Sequence, residues 1–153
     1  MYRSKHFKLL FWIYCATMLV LLFWRTPVRS PGSYGERVLG LLNPVPFETI
    51  CRFLRLLGHP SSAYVRVAAV NLFGNIFLFV PLGLLLPEVY PKLRRWWKTM
   101  LVTAGAVVAV ELGQMLTLLG TCDIDDLILN LLGAAIGYGL FLITHKNKGS
   151  AAR

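Results

Sequence analysis

Four of the chain's seven acidic residues lie in one stretch, ELGQMLTLLGTCDIDDLILNLLG, which runs from residue 111 to residue 133. They are Glu111, Asp123, Asp125 and Asp126, and long apolar runs lie on both sides of them. Carboxylates can transfer protons as general acids or bases, and they can bind Mg²⁺ or Ca²⁺ through oxygen. Burying a carboxylate in apolar surroundings costs free energy unless it is paired, hydrated or protonated. The chemistry therefore depends on which of these groups the fold removes from water.

Amide side chains accompany the carboxylates in the neighbouring apolar segments. These residues are Asn71, Asn75, Gln114 and Asn130. Gln114 follows Glu111 by three residues, so the two side chains share one face of a helix. Buried amides commonly hydrogen-bond between transmembrane helices without binding a ligand, and this alternative stays open for all four. For Glu111 we favour a functional role, because an ionisable group inside a membrane is costly to keep.

The aspartates also have a structural interpretation. Asp123 can cap the helix that follows it, and Asp126, three residues later, would complete an acidic capping box. Carboxylates at this position also interact favourably with the positive end of the helix dipole. Capping and contact with water therefore account for Asp123 and Asp125 without any ligand. Further along the same segment, Gly133 and Gly137 form a small-xxx-small surface that favours close helix packing.

The composition indicates a membrane protein. Of the 153 residues, 56% are hydrophobic and only 15% are charged, whereas about a quarter of the residues are charged in an average soluble domain. The formal net charge is +9. We attribute it to basic loops at the cytoplasmic face rather than to a nucleic-acid surface, because no basic stripe is interleaved with exposed aromatics. We predict a single domain over residues 1–153 and no nucleic-acid partner.

Four apolar segments are long enough, or nearly so, to cross a bilayer as helices. They cover residues 9–24, 67–87, 99–119 and 124–144. The first segment resembles a signal peptide, but RTPVRSPG follows it without a small-x-small cleavage pattern, so we favour an uncleaved anchor. The predicted fold is an all-α, polytopic membrane bundle of four transmembrane helices.

Basic residues predict that both termini lie in the cytoplasm. They cluster before the first span, between the second and third spans, and after the fourth: Arg3, Lys5, Lys8, Lys92, Arg94, Arg95, Lys98, Lys146, Lys148 and Arg153. With four spans, these three groups share one side of the plasma membrane. The positive-inside rule assigns that side to the cytoplasm.

The same topology brings six polar residues to one depth. The second span enters from outside, the third exits there and the fourth starts there. The residues that then lie in the outer half of the membrane are Asn71, Asn75, Glu111, Gln114, Asp126 and Asn130. At helical rise, Glu111 lies roughly 12 Å below the outer surface. We predict one water-accessible pocket that these residues share, with Glu111 and Asp126 as the candidate catalytic groups if the protein is an enzyme.

The first outer loop, residues 25–66, contains an amphipathic segment. Over residues 47–57 apolar side chains recur at helical intervals, while Arg52 and Arg55 occupy other faces. We predict a short helix, entered through Pro44 and Pro46, that lies in the headgroup layer with its arginines towards lipid phosphates. A re-entrant hairpin is the alternative.

No pattern for a metal or an organic cofactor is present. The sequence has no HExxH, no CxxC, no phosphate-binding glycine loop and no nucleophile elbow. Oxygen ligation of a divalent cation by Glu111 and Asp126 does not follow from their spacing alone, so we predict neither a metal nor a cofactor. Cys51 and Cys122 share the predicted outer side, and whether they form a disulfide stays open.

Three blocks of the sequence together resemble the VanZ-like family of bacterial membrane proteins. Residues 111–138 resemble its E-x-x-Q pair followed by a D-I-x-D element, an asparagine and glycines. NLFGNIFLFVPLGLLLP resembles its asparagine before an F-x-P-x-G-x-x-L run, and LNPVPFETI resembles its N-L-x-P-F element. The family positions that this chain matches are Asn75, Glu111, Gln114, Asp123, Asp126 and Asn130. Many members carry an arginine before the acidic element, where this chain has Gly120, Thr121 and Cys122.

The resemblance implies a role at the cell envelope. The family is associated with reduced susceptibility to the glycopeptide antibiotic teicoplanin, which carries an acyl chain. We therefore expect the pocket to bind an envelope lipid, a lipid-linked cell-wall precursor or a lipoglycopeptide, with membrane lipids as neighbours. One alternative is an intramembrane enzyme that acts on a lipid-linked substrate through Glu111 and Asp126. Another is a structural subunit of a membrane complex.

Overall fold

The computed structural model describes residues 2–24 and 26–150, with side chains over residues 5–24 and 26–145. Six α-helices occur in these ranges: α1 Tyr2–Phe23, α2 Tyr34–Leu39, α3 Glu48–Leu57, α4 Ser62–Val89, α5 Trp96–Leu116 and α6 Ile124–Ser150. A short 3₁₀ helix, Pro91–Leu93, joins α4 to α5. Two strands of two residues each, β1 Leu42–Asn43 and β2 Cys122–Asp123, pair in parallel. The all-α prediction is confirmed.

Four of the helices are long and apolar enough to cross a membrane. The candidate spans are Lys5–Phe23, Ser62–Val89, Trp96–Leu116 and Ile124–His145. They confirm the four predicted segments, and α4 extends beyond its predicted bounds at both ends and continues through Pro81 without a break. A membrane-embedded helical bundle follows from these lengths and compositions.

Helix α5 ends three residues before the predicted limit of its span, and the cause is a Schellman motif. Leu118 adopts a left-handed backbone conformation with φ 58°. Its N–H donates to Met115 O, and the N–H of Leu119 donates to Gln114 O at 2.8 Å. These are the two hydrogen bonds of the motif, in which glycine usually occupies the left-handed position. A leucine there gave no signal that the helix would stop.

Helices α4 and α6 form the most extensive pairing of elements in the described chain, while the buried hydrophobic core lies among α1, α4 and α5. A Cβ atom on Gly133 would overlap the backbone carbonyl of Ile76, and one on Gly137 would overlap that of Val80. The two backbones therefore approach more closely than side chains would allow. This confirms the predicted role of the glycines in close packing, and it fixes the relative position of the polar residues on the two helices.

Residues 26–61 cover one end of the bundle, which we call the loop end. The turn between α5 and α6 lies at the same end, and β1 pairs with β2 there through the register Leu42 to Cys122. The hydroxyl of Tyr34 in α2 donates to Leu116 O at 2.7 Å, and Val28 N donates to Leu118 O at 2.7 Å. The loop is therefore attached to the end of α5 rather than extended into solvent.

The predicted amphipathic helix is present as α3, a single continuous helix over Glu48–Leu57. Arg52 and Arg55 are exposed, whereas Thr49 is buried against the bundle. Exposed apolar residues such as Leu54 accompany the arginines. The helix therefore has one face on the protein and another that presents both charge and hydrocarbon to its surroundings.

Candidate functional site

A small cavity lies inside the bundle near the loop end, and we call it the polar cavity. It is lined by Asn75, Glu111, Gln114, Asp126 and Asn130, with apolar walls from Leu22, Phe79, Val107 and Val110. The five polar residues are all among those predicted to share a pocket. The volume is only about 20 Å³, which is enough for one water molecule but not for a lipid headgroup. Five of the six residues thus share one cavity, but it is far smaller than a ligand site, and access of water to it stays a prediction.

Asn71 lies outside this cavity. Its side chain is exposed, and its Nδ2 donates to Val67 O of the same helix at 2.8 Å. The expectation that Asn71 and Asn75 share the pocket is therefore wrong. Asn75 is the residue that α4 contributes.

Two amides tie neighbouring helices together at the wall of the cavity. Asn75 Nδ2 donates to Asp126 Oδ1 at 2.6 Å, which joins α4 to α6. Gln114 Nε2 donates to Leu22 O at 2.7 Å, which joins α5 to the end of α1. These are the interhelical hydrogen bonds that membrane-embedded amides commonly form. For these two residues, helix packing is a sufficient explanation of the amide.

Asn130 differs from them because its carbonyl oxygen is buried and unsatisfied. Its side chain is only 5% exposed, and Oδ1 has no hydrogen-bond partner in the described chain. An unpaired buried acceptor costs about 1–3 kcal/mol. The cavity therefore favours an occupant that can donate a hydrogen bond, and one water molecule fits the available volume.

Glu111 is the most informative member of the site. It is 6% exposed, and its Oε2 accepts a hydrogen bond of 2.7 Å from the backbone N–H of Asp123. In a capping box that N–H would be bound by Asp126. The predicted capping box is therefore wrong: Glu111 occupies this role from another helix, and Asp126 bonds to Asn75 instead.

Asp123 and Asp125 hold the outer part of the site together. Asp123 caps α6, since its Oδ1 accepts from Asp125 N at 2.9 Å, as predicted. Its Oδ2 also accepts from Thr49 Oγ1 at 2.6 Å and from Asn43 Nδ2 at 3.1 Å. The loop containing β1 and α3 is thus bound to the start of α6 through one carboxylate.

Helix capping and contact with water were predicted to account for Asp125, and the contact with water is wrong. The residue is fully buried, and its carboxylate caps α3. Oδ1 accepts from Phe47 N at 2.5 Å, and Oδ2 accepts from Ile50 N at 2.9 Å. These are N–H groups at the start of α3 that no carbonyl of that helix can bind. Asp125 is therefore a tertiary cap rather than a local one.

An apolar groove lies beside Glu111, beneath the loop, and we call it the loop groove. It is lined by residues 42–44 and 122–124 together with Val108, Glu111 and Leu127, and its volume is about 160 Å³. Glu111 lines both this groove and the polar cavity. A carboxylate that is only 6% exposed therefore lies between a groove of about 160 Å³ and a cavity with room for one water molecule.

Nearly the whole chain matches one known protein family. Residues 11–145 match the model of the family described as VanZ/LLP1. The chain belongs to this family. Searches of the curated proteins and of the solved structures found no match.

The three sequence blocks that resemble VanZ-like proteins converge on the site. Asn43 and Pro44 line the loop groove, Asn75 lines the polar cavity, and Glu111 lies between the two. The VanZ/LLP1 match covers all of these residues. Ligand binding by Asn75, Glu111, Gln114, Asp123, Asp126 and Asn130 stays a prediction, but five of the six surround one cavity and Asp123 is hydrogen-bonded to Glu111.

Sequence reasoning missed two members of this network, Asn43 and Thr49. Asn43 lies in the VanZ-like element LNPVPF, so its motif offered a signal that was not used. Thr49 lies in the same block, LNPVPFETI, but after its N-L-x-P-F element, and its partner Asp123 is 74 positions away. Only the docked position of α3 brings the two together.

The cysteines are free thiols. Cys51 is exposed on α3 and Cys122 is partly buried in β2, so the chain has no disulfide between them. Burial raises the pKa of the Cys122 thiol, and the nearby carboxyl groups of Glu111 and Asp123 raise it further. Within the described residues, no group of three or more histidine, cysteine, aspartate or glutamate side chains is arranged to hold a metal ion.

Proposed function

We propose that this VanZ/LLP1 protein binds an amphiphile of the bacterial cell envelope from the membrane. The ligand class is an envelope lipid, a lipid-linked cell-wall precursor or a lipoglycopeptide. Its polar group lies at the loop end, beside Glu111. The loop end faces the outside of the plasma membrane in this proposal, and both termini lie in the cytoplasm.

The position of Glu111 carries the proposal. Its carboxyl group lines an apolar groove of about 160 Å³ on one side and a polar cavity with an unsatisfied acceptor, Asn130 Oδ1, on the other. Ligand sites are usually apolar clefts with a few placed polar groups that fix orientation. A ligand in the loop groove would meet mostly apolar side chains, with Glu111, Asp123 and Asn43 as the polar groups.

The orientation rests on the distribution of charge. All lysines of the chain lie near the termini, in the turn between α4 and α5 or, as Lys98 does, in the first turn of α5. With four spans, this end of the bundle is opposite the loop end. The positive-inside rule assigns the lysine-bearing end to the cytoplasm.

The proposal can be tested by antibiotic susceptibility. The chain is expressed in a glycopeptide-susceptible Gram-positive host, and growth inhibition by teicoplanin is measured. In parallel, the purified protein is assayed for binding to an envelope lipid extract. We expect the wild-type chain to lower susceptibility and Glu111→Gln to abolish this effect, because the amide lacks the negative charge and one of the two acceptor oxygens of the carboxylate. The matched control is Glu48→Gln, at an exposed glutamate on α3.

Both variants must be present in the membrane at wild-type levels for this comparison. Unchanged teicoplanin susceptibility with the wild-type chain would refute the resistance role. Equal binding of an envelope lipid extract by the wild-type chain and by Glu111→Gln would refute the placement of the site.

A second candidate function is catalysis, and one observation favours it. Glu111 and Asp126 line the same cavity, which has room for one water molecule. Two carboxylates beside a water molecule suit general acid–base chemistry on a lipid-linked substrate. In this case Glu111→Gln would retain substrate binding and lose turnover, and lipid analysis of membranes with and without the chain would show an altered envelope lipid only for the active protein.

A further inference from the structure

A second apolar groove opens sideways between α1 and α5, and we call it the lateral groove. Its volume is about 170 Å³, and its walls come from three helices. Tyr14, Cys15, Met18, Leu19 and Leu22 belong to α1. Phe79 and Leu82 of α4 form the floor, and Ala106 and Val110 of α5 form the other wall. The hydroxyl of Tyr14 is already bound, since it donates to Leu78 O of α4 at 2.7 Å.

The groove exists because α1 packs on α4 and has little contact with α5. The two side-chain contacts that join these helices in the described residues lie near the loop end. There Gln114 Nε2 bonds to Leu22 O at 2.7 Å, and a Cβ added to Gly113 would lie 3.2 Å from the ring of Phe23. Below this contact, the small side chain of Ala106 leaves the space between the helices open.

This geometry selects the direction from which an occupant enters. The contact of Gln114 with Leu22 closes the groove towards the loop end, and the opening faces the side of the bundle. In a membrane-embedded protein that side faces lipid tails. A water-soluble ligand would have to cross the hydrocarbon to reach it, whereas the acyl chain of a lipid is already there.

The lateral groove also ends at the polar cavity. Leu22, Phe79 and Val110 line both. A chain lying in the groove would therefore have one end against the apolar wall that the groove shares with the cavity, while its polar group stays outside this water-sized space. The other end would point past Tyr14 towards the middle of the membrane. This is the orientation of a lipid in the leaflet at the loop end.

From this continuity we infer that the lateral groove holds one linear acyl chain of an amphiphile, which enters from the leaflet at the loop end. The inference rests on the proposed function, which places the polar group of the ligand but not its acyl chain. A cavity of about 150 Å³ accommodates a molecule of six carbons, so the groove holds a segment of roughly that length. The remaining carbons of the chain stay in the bilayer.

The test is photochemical cross-linking in lipid vesicles. The full chain is reconstituted in phosphatidylethanolamine and phosphatidylglycerol, with a small fraction of phosphatidylglycerol that carries a diazirine in one acyl chain. Cross-linked positions are mapped by mass spectrometry. We expect them to concentrate on Cys15, Met18 and Val110, and to be rare on Ile13, which is equally embedded but faces bulk lipid.

A groove-filling variant and a matched control make the test specific. Ala106→Phe places an aromatic ring in the groove, and we expect it to reduce cross-linking at Cys15 and Met18 to the level found at Ile13. Ala109→Phe adds the same ring to the same helix at an exposed position outside the groove, and we expect no change. If Ala106→Phe does not accumulate in the membrane, Leu19→Trp fills the groove from α1 and decides the question.

Cross-links spread equally over Ile13 and the groove residues would show an ordinary lipid layer and overturn the inference. So would equal labelling of Cys15 in Ala106→Phe and Ala109→Phe. The outcome is separable from that of the proposed function. If Glu111→Gln loses ligand binding but the wild-type chain shows no selective labelling of the groove, only the acyl-chain site is refuted. If the groove is labelled selectively and Glu111→Gln leaves this labelling unchanged, only the recognition of the polar group by Glu111 is refuted.

Discussion

Glu111, Asp123, Asp125 and Asp126 each accept hydrogen bonds from different groups although they lie within sixteen positions. Glu111 binds the backbone of the turn, Asp123 caps its own helix, Asp125 caps α3 and Asp126 binds Asn75. The cap by Asp123 was predictable because its partner is two positions away. The cap by Asp125 was not, because the N–H of Ile50 is 75 positions away and no local pattern reports such a contact.

Two asparagines on α4 provide the sharpest test at the scale of single residues. Asn75 bonds to Asp126 on another helix, whereas Asn71 bonds only to the backbone of its own helix. We expect Asn75→Ala to lower the free energy of unfolding by roughly 0.6–2 kcal/mol, which is the range for an interhelical hydrogen bond in a membrane. Asn71→Ala, the matched control, should change it by a few tenths of a kcal/mol. Denaturant titration of the purified protein in detergent measures both, and equal losses would contradict the assignment of Asn75 to the site.

The same pair of residues shows what sequence periodicity resolves. Positions four apart on a helix differ by about 40° around its axis, so a prediction from spacing places both side chains on one broad face. Which edge of that face turns inward depends on how α4 is rotated against its neighbours. The close approach of α4 at Gly133 and Gly137 sets this rotation. The glycines were recognisable in the sequence, but their partners on α4 were not.

At the scale of elements, α3 is held by its first turn. Its N-cap residue, Phe47, has no side chain that can accept a hydrogen bond. Asp125 supplies the missing acceptor from α6, and Thr49 adds a bond to Asp123. The short helix is therefore attached to the rim of the loop groove at one end, and its position depends on two aspartates.

Asp125→Asn tests this attachment. An amide offers one acceptor oxygen and directs N–H groups at a backbone donor, so one N–H of α3 loses its partner, at a cost of about 1–3 kcal/mol. We expect α3 to detach more often and a protease specific for arginine to cleave faster after Arg52 and Arg55. Glu48→Gln also removes a carboxylate near the start of α3, but from an exposed position, and should leave the cleavage rate close to that of the wild type. Unchanged cleavage in Asp125→Asn would mean that the cap does not hold α3.

At the scale of the whole molecule, the sequence predicted the parts that depend on hydrophobic length. The four spans, the amphipathic helix over residues 47–57 and the VanZ-like resemblance all follow from runs of residue types, and each has a counterpart in the structure or in the family match. The docking of the loop does not follow from such runs. It depends on backbone pairing of β1 with β2 and on side-chain bonds over more than 70 positions. The size of the polar cavity could not be predicted either, because it depends on how closely the surrounding helices pack.

The direction of the bundle in the membrane is the last prediction, and the natural cysteines test it. Cys51 is exposed at the loop end, Cys122 is partly buried there, and Cys15 lies within α1. If the loop end faces outward, a membrane-impermeant maleimide added to intact cells should label Cys51 first. Cys122 should react more slowly, because the thiolate is the reactive form and the raised pKa of this thiol lowers the thiolate fraction. Its rate should therefore increase relative to that of an unhindered thiol as the pH of the medium is raised.

A cysteine at the opposite end completes this experiment. Lys92→Cys, in a chain that also carries Cys51→Ser, places an exposed thiol in the turn between α4 and α5. We expect this thiol to be protected in intact cells and labelled after lysis, the reverse of Cys51. The opposite pattern would place the lysine-bearing turn outside. In that case Glu111 and the loop groove would face the cytoplasm, and a lipoglycopeptide arriving from outside could not reach them without crossing the membrane.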